Sequence, residues 1–316
     1  MSLKTITALC LGLTVSATAA LAQECQTSQQ WGAEDTLGSA NLITPDRTLE
    51  AAKLIKQGKS MPLGIAIGPN TPAFPPRSLS LQVVQPNQQG GQKLSGFGYE
   101  GNYNDDILQT WIGIGSQLDG LGHLGENGMY YNCLDEKEIS AITGLTKLGT
   151  HAVPPLVGRA VILDMAAHAG VEVMEAGAHF GEAEITAAAE AQGVEMREGD
   201  IILFHTGWTE GMLESNPTAW GSSEPGLNNA GAEYIASLNP MAVGADTWGL
   251  EPIPAPDGDK VFYGHVTLLK DNGIYILETM NVGPLLREGV NEFMFVLGQP
   301  RIVGTVQAMI NPVALY

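Results

Sequence analysis

The chain is poor in cysteine, with 3 in 316 residues, and poor in positive charge, with 15 Lys and Arg against 34 Asp and Glu. So few thiols exclude a disulfide-dense scaffold, and the fold must rest on a hydrophobic core. A net charge of −19 at pH 7 repels phosphate backbones and anionic headgroups, which argues against nucleic acid and membrane surfaces as partners. Long apolar runs are also missing. The stretch at residues 6–15 is about half of the ~20 residues that a spanning helix needs, with Lys4 before it and Ala20-Leu21-Ala22 after it. This pattern predicts a cleavable signal peptide over residues 1–22 rather than a membrane anchor, and hence an exported protein, periplasmic or secreted, that begins near Gln23. No Gly-x-Ser-x-Gly elbow, Walker loop or dinucleotide fingerprint occurs, so serine hydrolase, nucleotide hydrolase and dehydrogenase readings lack their motifs. Repeats, low-complexity tracts and a clear linker are absent too, which leaves residues 23–316 as a single domain.

What is present describes an ordinary globular chain, with 44% hydrophobic and 16% charged residues. The mature segment keeps two thiols, Cys25 and Cys133. An oxidising compartment permits one bridge between them, and the sequence leaves open whether their Cα atoms come within the ~7 Å that a bridge requires.

Periodicity and punctuation give an α/β rhythm. Helices are predicted over residues 46–57, after Thr44-Pro45, over 182–192, closed by Gly193, and over 228–237. Strands are predicted over 61–67, 110–119, 159–165, 200–205, 241–245, 274–278, 292–297 and 301–309. Residues 68–105, rich in Pro, Gly, Gln and Asn, read as a long loop of the kind that serves as a lid or binding element. The expected fold is a mixed β-sheet or open barrel with helices outside it.

The densest chemical signal is Gly113-Ile114-Gly115-Ser116-Gln117-Leu118-Asp119-Gly120-Leu121-Gly122-His123. On an extended segment Gln117 and Asp119 share a face, and a turn at Gly120 and Gly122 can bring His123 round to it. The bland alternative is a glycine-rich turn with a solvated Asp and a hydrogen-bonded His. Far downstream, Glu278 ends an apolar strand, where a carboxylate is costly without a partner. With His265 and Asp119 it makes an oxygen and nitrogen donor set of metal-site type. Tyr130, Tyr131, His205, Trp208, Asp246 and Trp248 are candidates to line a pocket, the last four because they lie at strand ends, where sites in α/β folds gather. Core packing is the competing reading for each aromatic. His151, His168 and His179 read as surface residues.

The 113–123 segment resembles the signature of the putative cyclase family, His-x-Gly-Thr-His-x-Asp-x-Pro-x-His, whose members include bacterial kynurenine formamidase and isatin hydrolase. It is most similar to a longer subgroup in which Thr-Gln-x-Asp-Gly-Leu-x-His is followed by a Tyr-Asn pair, here Tyr131-Asn132. Further landmarks are Lys147-Leu148-Gly149, Gly199-Asp200-Ile201, Thr206-Gly207-Trp208 and Gly244-Ala245-Asp246-Thr247-Trp248, so the resemblance runs over residues 31–316. It implies a swivelling β/α fold, a homo-oligomer, His123 as acid/base, and Asp119, His265 and Glu278 as ligands of a divalent metal. Gly113 has no ligand to offer, and Gln117, expected as a weak or outer ligand, offers an amide oxygen where the family has an imidazole, which implies one ion rather than two. Oxygen donors favour Mn²⁺, with Zn²⁺ or Mg²⁺ behind it.

The leading expectation is a metal-dependent hydrolase that opens a small amide, lactam, lactone or formamide by activated water. A lyase or dehydratase that uses the same metal on an enolate, and a non-catalytic exported binding protein of the same fold, are the alternatives.

Overall fold

The structure is a computed structural model that describes residues 25–84, 97–99, 101 and 103–316. The signal peptide expected over residues 1–22 lies outside the described residues, as does part of the loop-rich segment, residues 85–96, 100 and 102. Eleven strands concern the site: β1 (Ser60–Pro62), β2 (Leu79–Val84), β3 (Asp105–Thr110), β4 (Gln117–Asp119), β5 (Leu156–Asp164), β6 (Ile201–His205), β7 (Ala242–Ala245), β8 (Tyr275–Glu278), β9 (Glu292–Leu297), β10 (Gln307–Met309) and β11 (Val313–Leu315). β2 and β3 pair as a separate antiparallel hairpin. The other nine form one mixed sheet in the order β1-β11-β9-β5-β6-β7-β8-β4-β10, whose edges β1 and β10 do not pair with each other, so the sheet stays open.

At its centre β5, β6, β7 and β8 run parallel. Parallel strands are covered on both faces and read as continuous apolar runs, as Ile201, Ile202, Leu203 and Phe204 do, all fully buried. The covering helices include α1 (Pro45–Ala52), α2 (Glu182–Gln192) and α3 (Asn229–Ser237). Each begins where its sequence supplies a partner for free N–H groups. Thr44 accepts from Arg47 N, the Glu184 carboxylate from Gly181 N at 3.0 Å, and Asn228 from Gly231 N at 2.8 Å. α2 ends at Gly193, whose φ of +66° is open to glycine at little steric cost.

Three predicted strands are shorter than expected. Residues 61–67 pair only through Pro62. Residues 110–119 break into the ends of β3 and β4, because the backbone turns at Gly115 with φ +69°. Residues 301–309 pair only from Gln307 onward, after a turn at Gly304 with φ +81°. Inside the loop-rich segment, β2 was not anticipated.

Cys25 and Cys133 form a disulfide with Cα atoms 5.7 Å apart. The same corner is held by Ser28 N donating to Asn132 Oδ1 at 2.7 Å and Tyr131 Oη to Asp35 Oδ2 at 2.8 Å. Among the described residues no helix is long and apolar enough to cross a membrane.

Candidate metal centre

Register places the donors. In the antiparallel pairs Asp119 stands opposite Ile276 and Gln307, and Gln117 opposite Glu278 and Met309. Directly paired residues share a face, as do residues two apart on a strand. Gln117, Asp119, Glu278 and Gln307 therefore project from the same side of the sheet, and all four are buried. Asp119 is wholly inaccessible; its Oδ1 accepts from Gln307 Nε2 at 2.7 Å, while Oδ2 has no hydrogen-bond partner. His265 Nε2 lies 3.7 Å from that orphaned oxygen and 3.2 Å from Glu278 Oε1. The ligating atoms of Asp119, His265 and Glu278 all fall within 4.8 Å of one another.

Two carboxylates crowded in a buried site repel each other. Burial, and then the charge of Asp119, push the Glu278 carboxyl up to about 7, against the pull of His265. A buried oxygen without a partner and two crowded carboxylates facing one imidazole nitrogen fit a divalent cation. Gln117 donates its amide nitrogen to Glu278 and lies 3.5 Å from Asp119 Oδ1, so its nitrogen rather than its oxygen faces the carboxylates.

His265 is held from behind by Glu251, a residue the sequence reading missed. Glu251 Oε1 accepts from His265 N at 2.8 Å and Nδ1 at 2.7 Å, and Oε2 accepts from Gly264 N at 2.9 Å. A Cβ on Gly264 would stand 2.8 Å from the Glu251 carboxyl carbon, so glycine lets the carboxylate approach. Because a carboxylate only accepts, Nδ1 carries the proton and Nε2 is turned to Asp119 and Glu278, the carboxylate–histidine–metal arrangement. Glu251→Gln is expected to weaken metal binding by ~10–100-fold, read by titrating metal-stripped protein; an unchanged affinity would remove Glu251 from this role. Glu224, also missed, accepts from Trp248 N at 2.6 Å and Gly249 N at 3.2 Å. Burial, reinforced by Glu278, drives its carboxyl well above the usual carboxylate range.

The centre opens into a cavity of about 220 Å³ walled by Phe74, Arg77, Leu124, Trp248 and Phe262, with His123, His265 and Glu278 also lining it. Phe74 stacks on Trp248 at 5.3 Å, and Phe262 meets both edge-on. His123 reaches this place through the glycine turn: its N–H donates to Gly120 O at 2.9 Å, and a Cβ on Gly120 would lie 2.8 Å from Val306 O. His123 Nε2 is 3.8 Å from Asp119 Oδ2, outside the three-donor cluster. Burial lowers its imidazole pKa, with His265 and Arg77 acting the same way and Asp119 opposing them.

Of the other sequence candidates, Trp248 alone lines this cavity. Tyr131 is buried on Asp35, and Tyr130 packs against the main core. Trp208 packs with Trp220 and Trp248, and Asp246 Oδ1 accepts from Thr206 N and Oγ1 at 2.8 and 2.6 Å. His151, expected at the surface, is half-buried and accepts from Gly304 N, whereas His168 and His179 are exposed.

His205 lines a different cavity, with Nδ1 2.9 Å from Asp164 Oδ1 and Nε2 3.7 Å from Glu210 Oε2. Burial acts to lower its pKa, but Asp164, Asp246 and Glu210 outweigh burial and raise it. A histidine raised on folding stabilises the fold fully below its unfolded value of ~6.5, and the contribution is lost as pH rises through the folded value. The stability deficit of His205→Asn relative to wild type, measured by urea unfolding, should thus be larger at pH 6 than at pH 9. A deficit equal at both would refute the charged pairing.

A family model described as Putative cyclase matches residues 61–252. Among solved structures, a novel cyclase is 27% identical, with a TM-score of 0.81 over 90% of this chain and 96% of that one. An isatin hydrolase bound to the product analogue thioisatinate is 17% identical, with a TM-score of 0.59 over 87% and 99%. A potential metal-dependent hydrolase with cyclase activity is 15% identical, with a TM-score of 0.53 over 81% and 98%. The last two show likeness of fold alone. No curated protein matches significantly.

Proposed function

The chain belongs to the Putative cyclase family, and from that premise we propose that it is an exported metal-dependent hydrolase that opens a small amide, lactam, lactone or formamide. The observation that carries this reading is the buried Asp119–His265–Glu278 cluster, with an unpartnered Asp119 oxygen, whose His265 and Glu278 line an aromatic-walled cavity. Asp119, His265 and Glu278 would hold one divalent ion, Mn²⁺ before Zn²⁺ or Mg²⁺ for so oxygen-rich a set. When bound, such an ion supplies Lewis acidity toward a carbonyl oxygen and lowers the pKa of water.

The remaining steps belong to the protein. Glu251 keeps His265 Nε2 aimed at the carboxylates. His123 takes a proton from the attacking water and returns one to the departing amine or alkoxide. Phe74, Trp248 and Phe262 offer flat apolar walls for a small planar carbonyl compound and displace water from it. The Cys25–Cys133 bridge suits an oxidising compartment and supports export; assembly into a homo-oligomer is part of the same proposal.

Protein purified without added metal, assayed on formamides, lactones and lactams, tests this reading. About one divalent ion per chain is expected, with hydrolysis of one class that chelation abolishes. Solvent oxygen entering the product acid distinguishes hydrolysis from a lyase reaction. Folded protein that takes up no metal and opens none of these substrates would overturn the proposal.

A further inference from the structure

A second cavity, of about 670 Å³, adjoins the metal centre and shares Arg77 and His123 with it. Its walls include Ser80, Gln109, Thr110 and Thr305, and no described Asp or Glu lines it. In a chain with 34 acidic residues, a chamber whose described lining holds a guanidinium and no carboxylate is a local reversal of charge. Of the six arginines, Arg77 and the exposed Arg301 alone pair with no carboxylate among the described residues, and Arg301 donates to His151 O. Arg159 is paired with Asp200 and Glu292, Arg47 with Glu198, and Arg287 with Glu210. Arg77 is half-buried and has no carboxylate partner among the described residues; its described hydrogen bond runs from Nη1 to Gly113 O at 2.7 Å.

The guanidinium is placed with little freedom. A Cβ on Gly113 would stand 2.8 Å from Arg77 Cζ and 2.9 Å from Gln307 Oε1, so a residue without a side chain makes the space that Arg77 fills. Gln307 in turn holds Asp119. The guanidinium and the amide that holds Asp119 thus both lie beside Gly113. A guanidinium has five N–H donors, and one bond to Gly113 leaves the others for the two cavities that Arg77 lines.

We propose that Arg77 recognises a carboxylate carried by the substrate, so that the larger cavity takes the anionic end while the smaller takes the carbonyl to be opened. This rests on the hydrolase reading for the reaction, though not for the binding. A planar two-oxygen anion matches the fork of a guanidinium, which separates a carboxylate from a neutral amide of the same shape.

Benzoate and benzamide test it, as probes of equal shape and different charge. Their binding is measured by calorimetry on metal-loaded and metal-stripped protein, for wild type, Arg77→Gln and Arg77→Lys. Wild type should prefer benzoate by about tenfold or more in both metal states, as a charged hydrogen-bonded pair provides. Arg77→Gln should reduce the preference to within about twofold at unchanged melting temperature and metal content, and Arg77→Lys should keep an intermediate preference. A wild type without preference, or an Arg77→Gln protein that retains it, overturns the proposal. Protein that holds no metal and hydrolyses nothing, yet shows the Arg77-dependent preference, sinks the hydrolase reading and leaves this one standing. A metal-dependent hydrolase indifferent to Arg77→Gln does the reverse.

Discussion

Asp119→Ala protein should fold and yet leave purification with its divalent ion lost, and its hydrolytic rate should fall to background. Asp119 contributes the one buried oxygen of the cluster that has no protein partner, and it sits on β4 between β8 and β10. Loss of an outer partner of a metal ligand costs ~10–100-fold in affinity; removal of a charged ligand should cost more than 10². Folding should survive, because the change also removes one of two like charges that repel inside the site, seen in the upward push that Asp119 gives Glu278. Asp119→Asn, which keeps an acceptor for Gln307, guards against a packing artefact and should also lose the ion. Metal analysis of both variants, alongside circular dichroism, decides the matter: full occupancy in Asp119→Ala would show that the ion binds elsewhere.

For His123→Ala the expectation is the opposite split, with metal content nearly unchanged and kcat lowered by ~10² to 10⁴, the range for lost general acid/base catalysis. The imidazole is close enough to the cluster to exchange a proton with water there, at 3.8 Å from Asp119 Oδ2, but its nitrogen is not among the three clustered donors. It also lines the cavity where substrate would lie. The competing role for His123 is to brace the turn at Gly120 and Gly122. In that event activity would track melting temperature, and His123→Gln, which fills the space and can hydrogen-bond, would restore both. Measuring kcat, metal occupancy and melting temperature together on the two variants separates these cases. Near wild-type turnover in His123→Ala would end the catalytic assignment, and loss of the ion would make His123 a ligand.

Much of this architecture was legible in the residues because it depends on local rules. The α2 helix was predicted with its observed bounds, since alanine-rich sequence followed by glycine is sufficient to start and stop it. Strand β9 was likewise anticipated at both ends, as an apolar run. Glu278 drew notice because a carboxylate at the end of an apolar strand calls for a partner, and Asp119 because it stands two residues from Gln117 on an extended segment. What escaped notice depends on contacts distant in sequence. Glu251 and Glu224 lie in irregular segments where no periodicity marks a buried side chain, and only the fold brings them to His265 and Trp248. Phe74 and Arg77 come from the stretch read as a lid or binding loop, and they do line the cavity, but nothing in its composition singles out these two side chains. The break at Gly115 was missed because apolar residues on both sides read as one strand, and the positive φ becomes evident only in three dimensions.

The place of Asp119 in the sheet has one more consequence, for how the protein matures. Its neighbours on either side, β8 and β10, come from the C-terminal part of the chain. The carboxylate made early in synthesis thus has no enclosure until almost the whole polypeptide has been delivered. The contest among ions is therefore held where the finished chain folds, which under the proposed export is on the far side of the membrane. Natural preference orders among divalent metals are decided by supply as much as by ligand chemistry, so the occupant would report the mineral content of the compartment in which the chain closes, the outer one if the proposed export holds.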